Sequence, residues 1–131
     1  MARMSALLLA AALLLPAMEV RAAEGDIRTC ALSRAIECLP DEGCAEYSIQ
    51  DVELPRFVRI DLNSKTITSL DKEVSRTTKI DTVQRQQGLT VLHGTEQRAW
   101  SMAIGENSGE LTLTASGDGE GIVVFGSCIT P

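Results

Sequence analysis

The chain has 131 residues, 44% of them hydrophobic, and its 18 acidic side chains outnumber 12 basic ones to give a net charge of −6. An acidic surface repels phosphate backbones and anionic lipid headgroups, so neither nucleic acid nor a membrane surface is expected as a partner. Aromatic residues make up only 3% of the chain. The core of a single domain must therefore be built from aliphatic side chains.

Residues 1–22 have the features of a cleaved secretory signal peptide. Arg3 gives a positive start, Ser5–Ala17 is an apolar run, and Val20-Arg21-Ala22 is a small-x-small cleavage site. The apolar run of about a dozen residues is too short to cross a bilayer, which needs about 20. Cleavage leaves residues 23–131 as one domain of net charge −7. We expect this domain in the periplasm or secreted, without stable membrane insertion.

Four cysteines in an exported chain of this size predict two structural disulfides, formed among Cys30, Cys38, Cys44 and Cys128. Pro40 and Gly43 allow the short segment between the second and third cysteines to turn back on itself. The pairing Cys38–Cys44 with Cys30–Cys128 is therefore favoured over the two other pairings. No Cys-x-x-Cys spacing occurs, so neither a zinc site nor a redox-active pair is expected.

In the first half of the domain, one segment has helical spacing. Cys30, Arg34 and Cys38 fall at i, i+4 and i+8 within Thr29–Cys38, which predicts a short helix, with an extended or irregular segment as the alternative. From Tyr47 onward the apolar period becomes two, which is typical of strands. The predicted strands are Tyr47–Leu54, Val58–Leu62, Lys65–Leu70 and Arg76–Gln84, the last with a bulge at Val83.

In the second half of the domain, the sequence pattern predicts a series of β-hairpins. Turns at Glu106–Gly109 and Gly117–Gly121 separate segments in which apolar residues alternate with polar ones. The predicted strands are Leu89–His93, Trp100–Ile104, Leu111–Ala115 and Ile122–Cys128. Seven or eight sequential strands with one apolar face indicate an all-β fold, an antiparallel up-and-down meander curled into a small barrel or half-barrel.

A resemblance to known proteins lies in the last third of the chain. The segments Ala99–Ile104, Ser108–Thr112 and Gly126–Cys128 resemble the carboxyl-terminal half of small uncharacterised exported β-domain proteins of proteobacteria. This resemblance implies a periplasmic β-domain that ends in a bridged cysteine, and it implies no activity. The architecture is also similar to that of small periplasmic lysozyme inhibitors of the eight-stranded barrel type, without a match to their inhibitory loop.

Few residue patterns point to catalytic chemistry. His93, the one histidine, lies in phase with Leu89 and Val91 on a predicted strand, which favours a structural role. Neither a nucleophile elbow nor a phosphate-binding loop occurs. Asp118 and Glu120 flank a glycine in a predicted loop, but two carboxylates supply too few oxygens to bind calcium. We therefore expect no enzyme activity, no metal and no cofactor.

Three residues are candidates for binding. Asp118 and Glu120 offer carboxylates to a basic partner protein. Trp100 is expected in the core beside Met102 and Ile104, and an exposed Trp100 would instead indicate a binding anchor. These features predict a soluble exported protein-binding or accessory module. The alternatives are a structural or stress-related envelope protein, and a small-ligand carrier, because about eight strands can enclose one small ligand.

Overall fold

A computed structural model describes residues 26–130, and the predicted signal peptide, residues 1–22, lies outside the described residues. The described chain forms one antiparallel sheet of ten strands. The strands are β1 (Ile27–Leu39), β2 (Gly43–Tyr47), β3 (Phe57–Asp61), β4 (Thr66–Ser69), β5 (Thr77–Lys79), β6 (Thr82–Gln86), β7 (Leu89–Gly94), β8 (Ala99–Gly105), β9 (Glu110–Gly117) and β10 (Glu120–Ile129).

The strand order is that of an up-and-down meander whose first and last strands pair with each other. Nine strands follow the path β5-β4-β3-β1-β10-β9-β8-β7-β6, and β2 pairs with the second half of β1. The sheet curls into a half-barrel. The predicted fold class is confirmed, with nine strands along the path where seven or eight were expected.

The predicted short helix at Thr29–Cys38 was wrong and its extended alternative is confirmed, because these residues lie within β1, the longest strand. The pairing register shifts between Leu32 and Arg34. Cys30 and Leu32 are buried before this irregularity and Ala35 after it, so the inward face changes phase. Such a bulge breaks the alternation of period two. The broken alternation produced spacing that imitates a helix.

The predicted first strand at Tyr47–Leu54 was also wrong, because β2 ends at Tyr47 and a loop follows. The Ser48 hydroxyl donates to Asp51 Oδ2 at 2.7 Å and accepts from the Asp51 backbone N–H at 3.2 Å. Such local side-chain bonds compete with strand pairing. Ile49 is buried, while Val52 and Leu54 pack against the core. The loop thus contributes apolar side chains without joining the sheet.

The predicted strand Arg76–Gln84 is divided into β5 and β6, and the break lies at Ile80 and Asp81 instead of Val83. The Ile80 N–H donates to the Lys65 carbonyl beside β4, at 2.9 Å. The Asp81 N–H donates to the His93 carbonyl in β7, at 2.8 Å. The chain therefore passes from one edge of the sheet to the other within two residues, and this connection brings the two edges together.

Both disulfides have the favoured pairing, and all four cysteines are bonded. Cys30 and Cys128 lie directly opposite each other on β1 and β10, and Cys38 and Cys44 lie opposite each other on β1 and β2. The first bond joins residues separated by 98 positions. Closing so long a loop stabilises the fold by about 4–5 kcal/mol in the chain-entropy model.

Candidate functional site

The two ends of the half-barrel are filled differently. At one end, where β8 stops and β9 starts, inward-facing Ile104 and Leu111 are at most 2% exposed. We call this the closed end. At the opposite end, where β8 starts and β9 stops, inward-facing Leu113 and Ala115 are only partly buried. We call this the open end, and it contains the candidate site.

The open end holds a cavity of about 390 Å³. Its apolar wall comes from inward-facing positions of six strands, because alternate residues of each strand point to the same face. These wall residues are Leu32, Val58, Ile67, Trp100, Met102, Leu113, Ala115 and Ile122. The cavity is therefore a continuation of the hydrophobic core that the protein's own side chains leave unfilled.

The loop between β2 and β3 forms one side of the cavity. Val52, Leu54 and Pro55 from this loop line it. The Leu54 N–H donates to the Ile49 carbonyl at 3.1 Å, so the loop folds back upon itself. Because Ile49 is 4% exposed, it anchors this loop in the core beside the cavity.

Trp100 is both a core residue and part of the cavity wall. Its side chain is 9% exposed and packs with Met102 and Ile104, which confirms the predicted core position. The indole lies against Gly94, where a Cβ atom would overlap Cζ2 and Cε2 of the ring. The indole Nε1 is buried and has no hydrogen-bond partner among residues 26–130. A buried donor without an acceptor is costly.

The mouth of the cavity carries more acidic than basic groups. Six charged residues line it: Glu37, Asp51, Glu53, Glu96, Arg76 and Arg98. Arg98 Nη1 lies 2.8 Å from Glu120 Oε1, so a carboxylate beside the mouth pairs with this guanidinium. Arg76 Nη2 donates to the backbone carbonyl of Glu53 at 3.4 Å. The acidic excess is therefore concentrated around an apolar opening.

The structure separates the two predicted carboxylates. Glu120 reaches the mouth through its ion pair with Arg98, whereas Asp118 is exposed in the turn between β9 and β10 and does not line the cavity. Sequence reasoning missed Glu37 because its strand was predicted as a helix. It missed Arg76 and Arg98 because both lie at strand starts, where no local pattern indicates a shared opening.

A polar network lies at the closed end, around Glu106 in the exposed turn after β8. Arg28 on β1 is 8% exposed, and its Nη2 lies 3.4 Å from Glu106 Oε2, just after β8. The Thr90 hydroxyl on β7 donates to the other oxygen of Glu106. A buried guanidinium requires such partners. His93 is half-buried on β7, next to inward-facing Leu92, and does not line the cavity.

Comparison of the chain with protein-family models, with curated proteins and with solved structures finds no match. The resemblance to small exported β-domain proteins therefore stays a prediction. Residues 26–130 contain no helix with the length and apolar character that a membrane span requires. Both disulfides are compatible with an oxidising compartment outside the cytoplasm.

Proposed function

We propose that this protein binds a small, largely apolar ligand in the cavity at the open end of its half-barrel. This function is the small-ligand carrier among the predicted alternatives. We further propose that the protein acts in the periplasm or the extracellular medium. The single observation that supports the ligand-binding role is the cavity of about 390 Å³, with its wall of apolar side chains, at the open end of the half-barrel.

The size and lining of the cavity support binding. Small-molecule sites enclose about 300–1,000 Å³ and combine apolar walls with a few polar groups. Leu32, Leu113 and Ile122 provide such a wall, and Ser69, Thr78 and the charged lining residues supply the polar groups. Filling the cavity would remove apolar surface from water at about 25 cal/mol per Å². This gain provides the driving force for ligand entry.

The cavity lining favours binding over catalysis. It contains no histidine and no cysteine, and the carboxylates Glu37 and Glu53 stand at the mouth. A catalytic base must lie within hydrogen-bond reach of the reacting group. His93, the one imidazole of the chain, lies outside the lining. We therefore propose a binding role without catalysis.

The test uses Trp100, the single tryptophan of the chain, as a reporter inside the site. Titration with the neutral probe N-phenyl-1-naphthylamine should give a saturable change in Trp100 emission and one probe per chain. Ala115→Phe places a ring in the cavity and should weaken probe binding about tenfold or more. Thr114→Phe is the matched control, because Thr114 is the exposed neighbour of Ala115 on β9. Its probe affinity should equal that of the native protein.

Two outcomes would contradict the proposal. One is the absence of saturable probe binding to the native protein. The other is an equal probe affinity in Ala115→Phe and Thr114→Phe. Thermal unfolding of both variants establishes that they fold, so a lost signal in Ala115→Phe is attributable to the filled cavity.

A second candidate function, binding to a basic protein, is favoured by the hairpin of β1 and β2. The Cys38–Cys44 disulfide joins opposite positions of this hairpin, which limits its movement. Its tip and second strand expose Asp41, Glu42 and Glu46. Acidic surfaces accelerate association with basic partners in a salt-dependent way.

This second candidate is tested with lysozyme as a defined basic protein. Binding or inhibition should decrease about tenfold in Asp41→Asn combined with Glu42→Gln, and also in high salt. The control is Glu110→Gln, which changes an exposed carboxylate at the closed end. If lysozyme neither binds nor is inhibited, the proposal that the protein binds a basic protein is contradicted.

A further inference from the structure

We infer that the ligand of the cavity is a cationic amphiphile, with an apolar chain inside the half-barrel and an ammonium group at the mouth. This inference rests on the proposed ligand-binding function and specifies its ligand class. It depends on the charges around the opening, the exposure of the residues that carry them, and the aromatic surface in the cavity wall.

The charges at the mouth favour a cation. Four carboxylates and two guanidiniums line the cavity. One guanidinium, Arg98, is paired with Glu120 at 2.8 Å, so its charge is largely neutralised. Among residues 26–130, no ion pair within 4.0 Å involves Glu37 or Glu53. These two carboxylates are therefore available to a charged ligand.

Glu37 occupies the most informative position at the mouth. It lies on β1 two residues after buried Ala35 and lines the cavity, so its carboxylate adjoins the apolar wall. It is half-buried. A charge beside an apolar region interacts more strongly than a charge in open water, because the effective dielectric constant is lower. An ammonium group next to Glu37 would gain from this environment, whereas a carboxylate would be repelled.

Trp100 adds an aromatic surface to the wall of the same cavity. Its buried Nε1 lies on the edge of the ring that packs against Gly94. Cations associate favourably with tryptophan faces. An amphiphilic amine therefore matches both the aliphatic and aromatic wall and the acidic mouth.

Three eight-carbon probes test the charge preference: octylammonium, octanol and octanoate. Their chains are alike, so differences in affinity report the headgroup. Trp100 emission should show octylammonium binding about tenfold more tightly than octanol at low salt, and octanoate binding more weakly than octanol. In about 0.5 M NaCl the preference should decrease, because salt screens charges near the surface.

Charge-neutral variants locate the effect. Glu37→Gln and Glu53→Gln should each reduce the ratio of octylammonium affinity to octanol affinity, both measured on the same variant, by about three-fold or more. Glu110→Gln is the matched control, because it removes the same charge from an exposed position at the closed end. It should preserve the preference.

The outcomes separate this inference from the proposed function. If octanol binds as well as octylammonium, or if octanoate binds best, the cationic ligand class is wrong and the cavity remains a binding site. If none of the three probes binds, both proposals are wrong. A preference for octylammonium that Glu110→Gln reduces as much as Glu37→Gln does would show a general charge effect, and it would also overturn the inference.

Discussion

The closed and open ends of the half-barrel are built by the same strands with the same alternation, yet only one end is filled. On β9, Leu111 at the closed end is 1% exposed, whereas Leu113, two residues further along the same inward face, is only partly buried. The closed end also contains the longer disulfide and the Arg28–Glu106 pair. The interactions that stabilise the fold are therefore concentrated at the closed end. The surface that is available to a ligand lies at the open end.

The disulfides should give the largest difference between the two ends in their contribution to the free energy of unfolding. Replacing Cys30 and Cys128 together with alanine should lower the free energy of unfolding by about 4–5 kcal/mol, because this bond closes a long loop. The same change at Cys38 and Cys44 should lower it by about 2 kcal/mol, because the loop is short. Urea titrations of both double variants measure these values. A larger loss from the hairpin bond would reverse the comparison.

Truncation of the two leucines of β9, Leu111 and Leu113, compares how tightly the closed and open ends are packed. Leu111→Ala should destabilise the fold by about 3 kcal/mol, because it opens a void in a filled region. Leu113→Ala should cost about 1 kcal/mol, because it enlarges a cavity that already exists. Chemical unfolding of the two variants gives the difference, and equal losses would show that the open end is packed as tightly as the closed end.

Gly94 tests how tightly Trp100 is held at the open end. A methyl group at this position overlaps the indole, so Gly94→Ala should cost about 2 kcal/mol by overpacking. It should also shift Trp100 emission to longer wavelength as the ring moves toward water. Gly121→Ala is the control, because a Cβ there meets no atom within 4 Å, and we expect a change below about 0.5 kcal/mol. Unaltered emission in Gly94→Ala would contradict the observed contact.

The smallest contrast concerns the ion pairs of the two ends. Glu106→Gln should cost about 1 kcal/mol, because it removes the carboxylate charge that lies 3.4 Å from the nearly buried guanidinium of Arg28. Glu120→Gln should cost less than about 0.5 kcal/mol, because the side chain of its partner Arg98 is 41% exposed. Thermal unfolding at low and high salt measures both. Greater salt sensitivity of the Arg28–Glu106 pair would argue against the burial of Arg28.

Local patterns predicted the second half of the fold well and the first half less well. Strands β7 to β10 follow regular alternation between short turns, and Val58 and Ile60 predicted β3 in the same way. In contrast, the bulge after Leu32 concealed β1, and apolar Val52 and Leu54 imitated a strand in a loop. Periodicity describes which face a residue occupies, but it does not record a phase shift or the side-chain bonds that end a strand.

The candidate site could be predicted only in fragments. Trp100 and Glu120 were identified as candidates from sequence. Glu37, Arg76 and Arg98 were not, although they lie around the same opening. These residues come from distant parts of the chain, and only the curling of the sheet brings them together.

The sequence by itself determined the all-β class and the hairpins of the second half, and it favoured the disulfide pairing that the structure shows. Alternation and turn residues are local properties, and they are sufficient for the class and the hairpins. Only the tertiary structure decided that Ile80 and Asp81 join the two edges of the sheet, that the closed end is filled, and that a cavity with an acidic mouth lies at the other end. Whether inward-facing side chains fill a barrel depends on their combined volume across strands far apart in sequence, and no local pattern records that volume.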